Sequence, residues 1–208
     1  LEQMLSSSEA TDFGKEIFPQ SIESHRVQTY LFDSYWEDIG TIGAFHKANI
    51  DLTREAPPFD FMFGDHPVYT RPRYLPCSRL SGVMARDSLI ADGCVLGRGS
   101  VVENSVIGVR AQIAENVTIR NSYLMGADSY ESAAQILHNE REGRPCIGVG
   151  AGSVIENAII DKHARIGRDV RIQNAAGLIN SDDHPDFVIR DKIVVIPRHT
   201  VLRDGTII

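Results

Sequence analysis

Cysteine, tryptophan and basic residues are all scarce in this sequence. Its three cysteines, Cys77, Cys94 and Cys146, build no even disulfide framework and match no zinc-ligand spacing. Free thiols in a reducing cytoplasm are the expectation. Lys and Arg number 21 against 28 Asp and Glu, for a formal net charge of −7. That balance argues against a general nucleic-acid or membrane-surface role but leaves room for a local anion site. No apolar run is long enough to span a bilayer, and no signal-peptide pattern occurs.

What the sequence does have is a repeat. Val83, Leu89, Val95, Val101, Ile107, Ile113 and Ile119 recur every sixth residue. A helix repeats its apolar face near 3.6 residues and a strand every second residue. Period six is the mark of hexapeptide repeats that coil into a parallel β-helix. Each of these aliphatic residues is expected to point into the prism, three hexads to a coil. The repeat breaks at Gly126–Pro145, where Tyr130–Arg141 has helical composition, and resumes with Ile147, Val154, Ile160, Ile166 and Ile172 after a slip of one residue. A second, polar excursion spans Gly177–Arg190, and Val195, Val201 and Ile207 close the chain in phase. Four to five coils are expected.

Ahead of the repeat, residues 1–25 read as amphipathic helix, with a cap at Thr11-Asp12 and a stop at Pro19. Arg26–Phe32 alternates apolar and polar residues as a strand does, and Tyr35-Trp36 would pair with it across an Asp33-Ser34 turn. Thr41 is a good N-cap for a helix from Ile42 to Leu52. Glu55–Pro76 holds five of the nine prolines and reads as extended linker.

Tyr35-Trp36-Glu37-Asp38-Ile39-Gly40-Thr41 resembles the Trp-x-Asp-x-Gly-Thr motif of sugar-phosphate nucleotidyltransferases. With Asp12–Ile17, Tyr69–Pro76, Met125–Asp128 and Ile159–Gly167 beside it, the chain resembles ADP-glucose pyrophosphorylases (glucose-1-phosphate adenylyltransferases), most closely the cyanobacterial and plant type. The resemblance implies a mainly β chain: a left-handed parallel β-helix over residues 80–208, a linker over 61–79, and over 1–60 the α/β C-terminal remnant of a Rossmann-like catalytic domain. The family's Gly-rich nucleotide loop, first metal-binding Asp and Glu-Lys-Pro segment have no counterpart in these 208 residues, so the chain by itself is expected to lack pyrophosphorylase activity.

The resemblance also implies chemistry. ATP and glucose 1-phosphate bring several negative charges together, and Mg²⁺ offsets them. Asp38 would give one of its carboxylates as a catalytic residue; as a plain residue it would cap the helix that follows. Gly40 would let the backbone turn close to the ligand, Trp36 would support the loop from beneath, and Glu37 would stand beside the site or face solvent. Lys162 matches the family's lysine for phosphorylated effectors, and Arg198 falls where the family has a second one. Arg binds phosphate as a fork rather than a point. Arg165, Arg168, Arg171 and Arg203 would add to the positive field. Homo-oligomers and a bacterial cytoplasmic or plant plastid location are implied, without nucleic-acid or membrane partners.

Two other kinds of protein share such repeats. A hexapeptide acyltransferase would use a coil histidine, His163 or His199, as its base; both read as exposed corner residues. A β-helix carbonic anhydrase would hold zinc through histidines of neighbouring subunits, and His163 and His199 are 36 residues apart, two 18-residue coils; the second excursion interrupts that register and no third His follows. A non-enzymatic oligomerisation module is the remaining alternative.

Overall fold

A computed structural model describes residues 2–7, 9–59, 61 and 68–208. The chain forms two compact units, residues 1–35 and 36–208.

In the first unit, α1 spans Glu2–Ser7 and a π-helical turn, Phe13–Ile17, runs into α2, Phe18–Ser24. Asp12 caps that turn: its Oδ1 accepts from the backbone N–H groups of Gly14 and Lys15 at 2.8 and 2.9 Å. Pro19 does not stop the helix as expected. It sits in the first turn of α2, where its missing N–H is one that needs no partner. The expected hairpin is also absent. Residues 26–40 have no regular structure, because no described strand lies beside Arg26–Phe32 to complete a ladder, and a lone strand has no stability of its own.

The second unit is a parallel β-helix with a helix docked on it. Its first face stacks Arg79–Leu80, Val95–Leu96, Gln112–Ile113, Gly148–Val149, Arg165–Ile166 and Val201–Leu202. The second stacks Met84–Arg86, Val101–Glu103, Thr118–Arg120, Val154–Glu156 and Arg171–Ile172, with Ile207 bridging to Arg171. The third stacks Leu89–Ile90, Val106–Ile107, Tyr123–Leu124, Ala158–Ile160 and Ile193–Ile196. Five coils are therefore complete and a sixth is begun, slightly more than expected.

The phase of the repeat differs from the sequence reading. Leu96, Val102, Ile107, Ile113, Ile119 and Leu124 fill the prism, at spacings of six, five and six. A coil takes 17 residues, as Val95 opposite Gln112 and Val106 opposite Tyr123 show. The short corner lies between the second and third faces. There Asp87, Asn104, Asn121, Asn157 and Asn174 adopt left-handed backbone, which short polar side chains tolerate better than most. Asn104 and Asn121 also join side chain to side chain across coils at 3.1 Å. Aliphatic residues come in adjacent pairs here, so the period-six run passes unnoticed from outward Leu89, Val95 and Val101 to inward Ile107. By the same shift Val149 and Ile155 point inward rather than Ile147 and Val154. At the end of the chain Ile196, Leu202 and Ile208 point inward, while Ile207 is 72% exposed.

Two residues before most of these inward aliphatics stands a small buried residue, namely Cys94, Ser100, Ser105, Ala111 and Ser122; before Ile119 it is Val117. The serines pair with coil backbone. Ser100 Oγ donates to Ala114 O at 2.9 Å and accepts from Val117 N at 3.1 Å. Coils approach so closely that a Cβ on Gly108 would lie 2.5 Å from the Met125 carbonyl oxygen.

The first excursion carries α4, Ala133–Arg141, started by a capping box of Ser132 and Gln135. The second forms an antiparallel hairpin, Ser181–His184 with Phe187–Arg190, that extends the third face beyond Ile193–Ile196. Before the coils, α3 (Ile42–Asp51) packs on the prism. His46 Nε2 donates to Asn121 O at 2.8 Å, Thr53 Oγ1 donates to Asn104 Oδ1 at 3.0 Å, and the Phe45 and Tyr123 rings lie 5.6 Å apart. The boundary by packing thus falls at 35/36, whereas the sequence reading has 1–60 and 80–208 joined by a linker at 61–79. Of that linker, Met62–Pro67, like Asp60 before it, lies outside the described residues.

Candidate functional site

Between the third and first faces the chain turns through left-handed backbone at Gly93, Arg110, His163 and His199. The last two corners are stacked. His199 N donates to Lys162 O at 3.2 Å, and the two imidazoles lie 5.0 Å apart at 20°. His163 and His199 are thus one coil apart, not two, because the second excursion takes up the extra length. His163 is also buried rather than exposed. Lys162 and Arg198, each one residue earlier, consequently stand at the same corner.

A carboxylate joins them. Asp128 Oδ1 accepts from Lys162 Nζ at 2.6 Å, and Oδ2 accepts from an Arg198 guanidinium nitrogen at 2.7 Å. The Lys162 ammonium above all, with His163 and Arg198 behind it, holds the Asp128 carboxyl at about 2. The Asp128 backbone N–H donates to His163 Nε2 at 3.2 Å. The same Nε2 stands 3.3 Å from Asp128 Oδ2, so the ring faces both the backbone and the carboxylate of Asp128. Arg198 Nε in turn donates to His199 Nε2 at 3.2 Å. Neither histidine is placed as a free base for acyl transfer.

Asp128 is positioned by the start of the first excursion, and the excursion is clasped to the coils. Glu131 Oε1 accepts from Arg165 at 2.6 Å and from Asn139 Nδ2 at 2.7 Å; Oε2 accepts from Ile147 N at 2.7 Å. Arg165 also donates to Pro145 O at 2.8 Å. Burial pushes the Glu131 carboxyl up, but the Ile147 N–H, Arg165 and Asn139 outweigh it and leave the group below its usual range. Arg165 is therefore spent on a buried ion pair and adds nothing free to the Lys162 corner. Arg168 and Arg203 stand at the next corner of the coil and Arg171 on the second face, so the expected wider basic field is confined to Lys162 and Arg198.

The loop motif lies elsewhere, in the segment leading into α3. Asp38 Oδ1 accepts from Gly40 N at 2.9 Å, while Thr41, not Asp38, caps α3 by accepting from Ala44 N at 3.1 Å. Gly40 does not have left-handed backbone. A Cβ there would lie 3.1 Å from Asp38 Oδ1, a tight contact that a small shift of the carboxylate would ease. Trp36 is 83% exposed, so in this chain it does not pack beneath the loop, and Glu37 faces solvent. Among the described residues no three His, Cys, Asp or Glu side chains group to hold a metal. A lone Asp38 carboxylate does not make a magnesium site.

The expected pair Lys162 and Arg198 is thus brought together, and Asp38 takes no part in it. Asp128 is the residue to which the sequence reading gives no role, and His163, considered there only for acyl transfer or zinc, instead accepts from the Asp128 backbone. Asp128 lies in the Met125–Asp128 stretch, but nothing in a linear sequence ties it to positions 34 and 70 residues further on.

A family model for the GLGC left-handed parallel beta-helix domain matches residues 73–207. The chain belongs to this family. A nucleotidyl transferase model matches residues 1–55, so the GLGC-type chain also carries a piece of a catalytic domain, and the pair of matches marks an ADP-glucose pyrophosphorylase-type protein. The handedness of the GLGC coils is left-handed, and the corner that joins Lys162, Arg198 and Asp128 lies inside the matched domain. Among the described residues of this GLGC-type chain no helix is long and apolar enough to cross a membrane.

Proposed function

We propose that the chain serves as the C-terminal part of a glucose-1-phosphate adenylyltransferase of the cyanobacterial and plant type, active in glycogen or starch synthesis in a bacterial cytoplasm or a plastid. In that reaction a phosphate oxygen of glucose 1-phosphate attacks the α-phosphorus of ATP, the bond to the β-phosphate breaks, and pyrophosphate leaves. Asp38 would give one carboxylate toward a Mg²⁺ that offsets the charge of the phosphates, a site its carboxylate cannot make alone. The β-helix assembles the enzyme into homo-oligomers and binds phosphorylated effectors.

The observation that carries this reading is the meeting of Lys162 and Arg198 at one anion. A carboxylate bridging an ammonium and a guanidinium is a fair stand-in for a phosphoryl group, which offers the same acceptors with more charge. The test is kinetic. In an adenylyltransferase carrying this chain, Lys162→Glu is expected to raise the phosphate concentration for half-inhibition by at least about tenfold, the equivalent of ~1.4 kcal/mol, with uninhibited kcat unchanged. Equal phosphate response in both enzymes contradicts the reading.

A further inference from the structure

We propose that Asp128 is a built-in competitor at the Lys162–Arg198 corner, and that a phosphorylated ligand binds there by displacing its carboxylate. The inference rests on the anion-site reading above and says how that site is controlled.

Three observations carry it. First, Oδ1 takes the Lys162 ammonium at 2.6 Å, while Oδ2 takes the Arg198 guanidinium at 2.7 Å and stands 3.3 Å from His163 Nε2, so the position an incoming anion needs is filled. Second, only the side chain is at stake. The backbone of Asp128 is held by His163 Nε2, and Ala127 N is held by Val109 O at 2.9 Å. A rotation about the side-chain bonds frees both cations while the corner stays folded. The side chain is 45% exposed, so that rotation leads into water. Third, Asp128 stays ionised at any physiological pH, so proton uptake cannot release the cations and a competing anion must.

The competition also sets ligand class. A tethered carboxylate faces its partners at an effective concentration in the millimolar range or above. A free carboxylate carries no advantage over it. A phosphate dianion does, having a second charge and a third acceptor oxygen. The corner therefore selects phosphate and phosphomonoesters over simple carboxylates.

The test is calorimetric titration of inorganic phosphate into the 208-residue chain and three variants. Asp128→Asn keeps the shape and removes the charge; Asp128→Ala removes both; Lys162→Glu reverses one cation. One unit charge removed about 4 Å from a mono- or dianion in water is worth about five- to thirtyfold in affinity. Both Asp128 variants are expected to bind phosphate tighter by that factor, including the case where only they bind measurably, and Lys162→Glu is expected not to bind. Unchanged or weaker binding by both Asp128 variants, with wild-type binding lost in Lys162→Glu, overturns the competitor role and leaves the anion site standing. No phosphate binding in any form, or binding indifferent to Lys162, removes the anion site and the inference with it.

Discussion

At the scale of single residues, one carboxylate decides how the Lys162 corner behaves. Asp128 is held at about 2 in the folded chain against an ordinary value of 3.8. A depressed carboxyl contributes stability that is fully present above the unfolded value and is lost as pH falls through the folded one. Wild-type stability should therefore fall more steeply than that of Asp128→Asn between about pH 4 and pH 2. Chemical denaturation at stepped pH measures it, and parallel curves for the two proteins would contradict the assigned pairing. The same residue marks a limit of reading along the chain. Lys162 and Arg198 were recognisable by type, each beside a histidine, but their shared partner comes from the start of an excursion whose path only the folded chain reveals. Asp38 illustrates the reverse: its motif was legible, yet in these residues it forms a local turn with Gly40 and no metal cluster.

At the scale of elements, the β-helix was legible in kind and misread in phase. Hexad spacing identified the coils, and the capping box at Ser132 and Gln135 accompanies a helix whose composition had announced it. The five-residue corner was hidden because neighbouring aliphatic residues, such as Val95 and Leu96, occupy both faces of one strand. A substitution pair separates the two phases. Leu96→Ala empties a site inside the prism and is expected to cost about 2–5 kcal/mol. Val95→Ala, on the outer face, is expected to stay within about 1 kcal/mol. Equal losses in urea titrations would restore the phase read from the period alone. The expected strand at Arg26–Phe32 failed for another reason: alternation marks a strand, but only a neighbouring strand can pair it.

At the scale of the molecule, packing and family matches divide the chain differently. The nucleotidyl transferase match runs to residue 55, while α3, inside that match, packs on the β-helix through His46, Thr53 and Phe45. The coils are thus more than a spacer. They fasten a piece of the catalytic domain through α3 at one corner and present Lys162 and Arg198 at another. Their rigidity comes from Ser, Asn and backbone bonds repeated from coil to coil, with no buried side-chain N or O lacking a partner among the described residues. The central claim, that two stacked corners form a phosphate site, is tested most directly by a crystal structure of the chain grown in phosphate. The account predicts an anion within hydrogen-bonding reach of both Lys162 Nζ and the Arg198 guanidinium, with the Asp128 side chain turned away. Asp128 still bridging the two cations, with no anion at that corner, would contradict it.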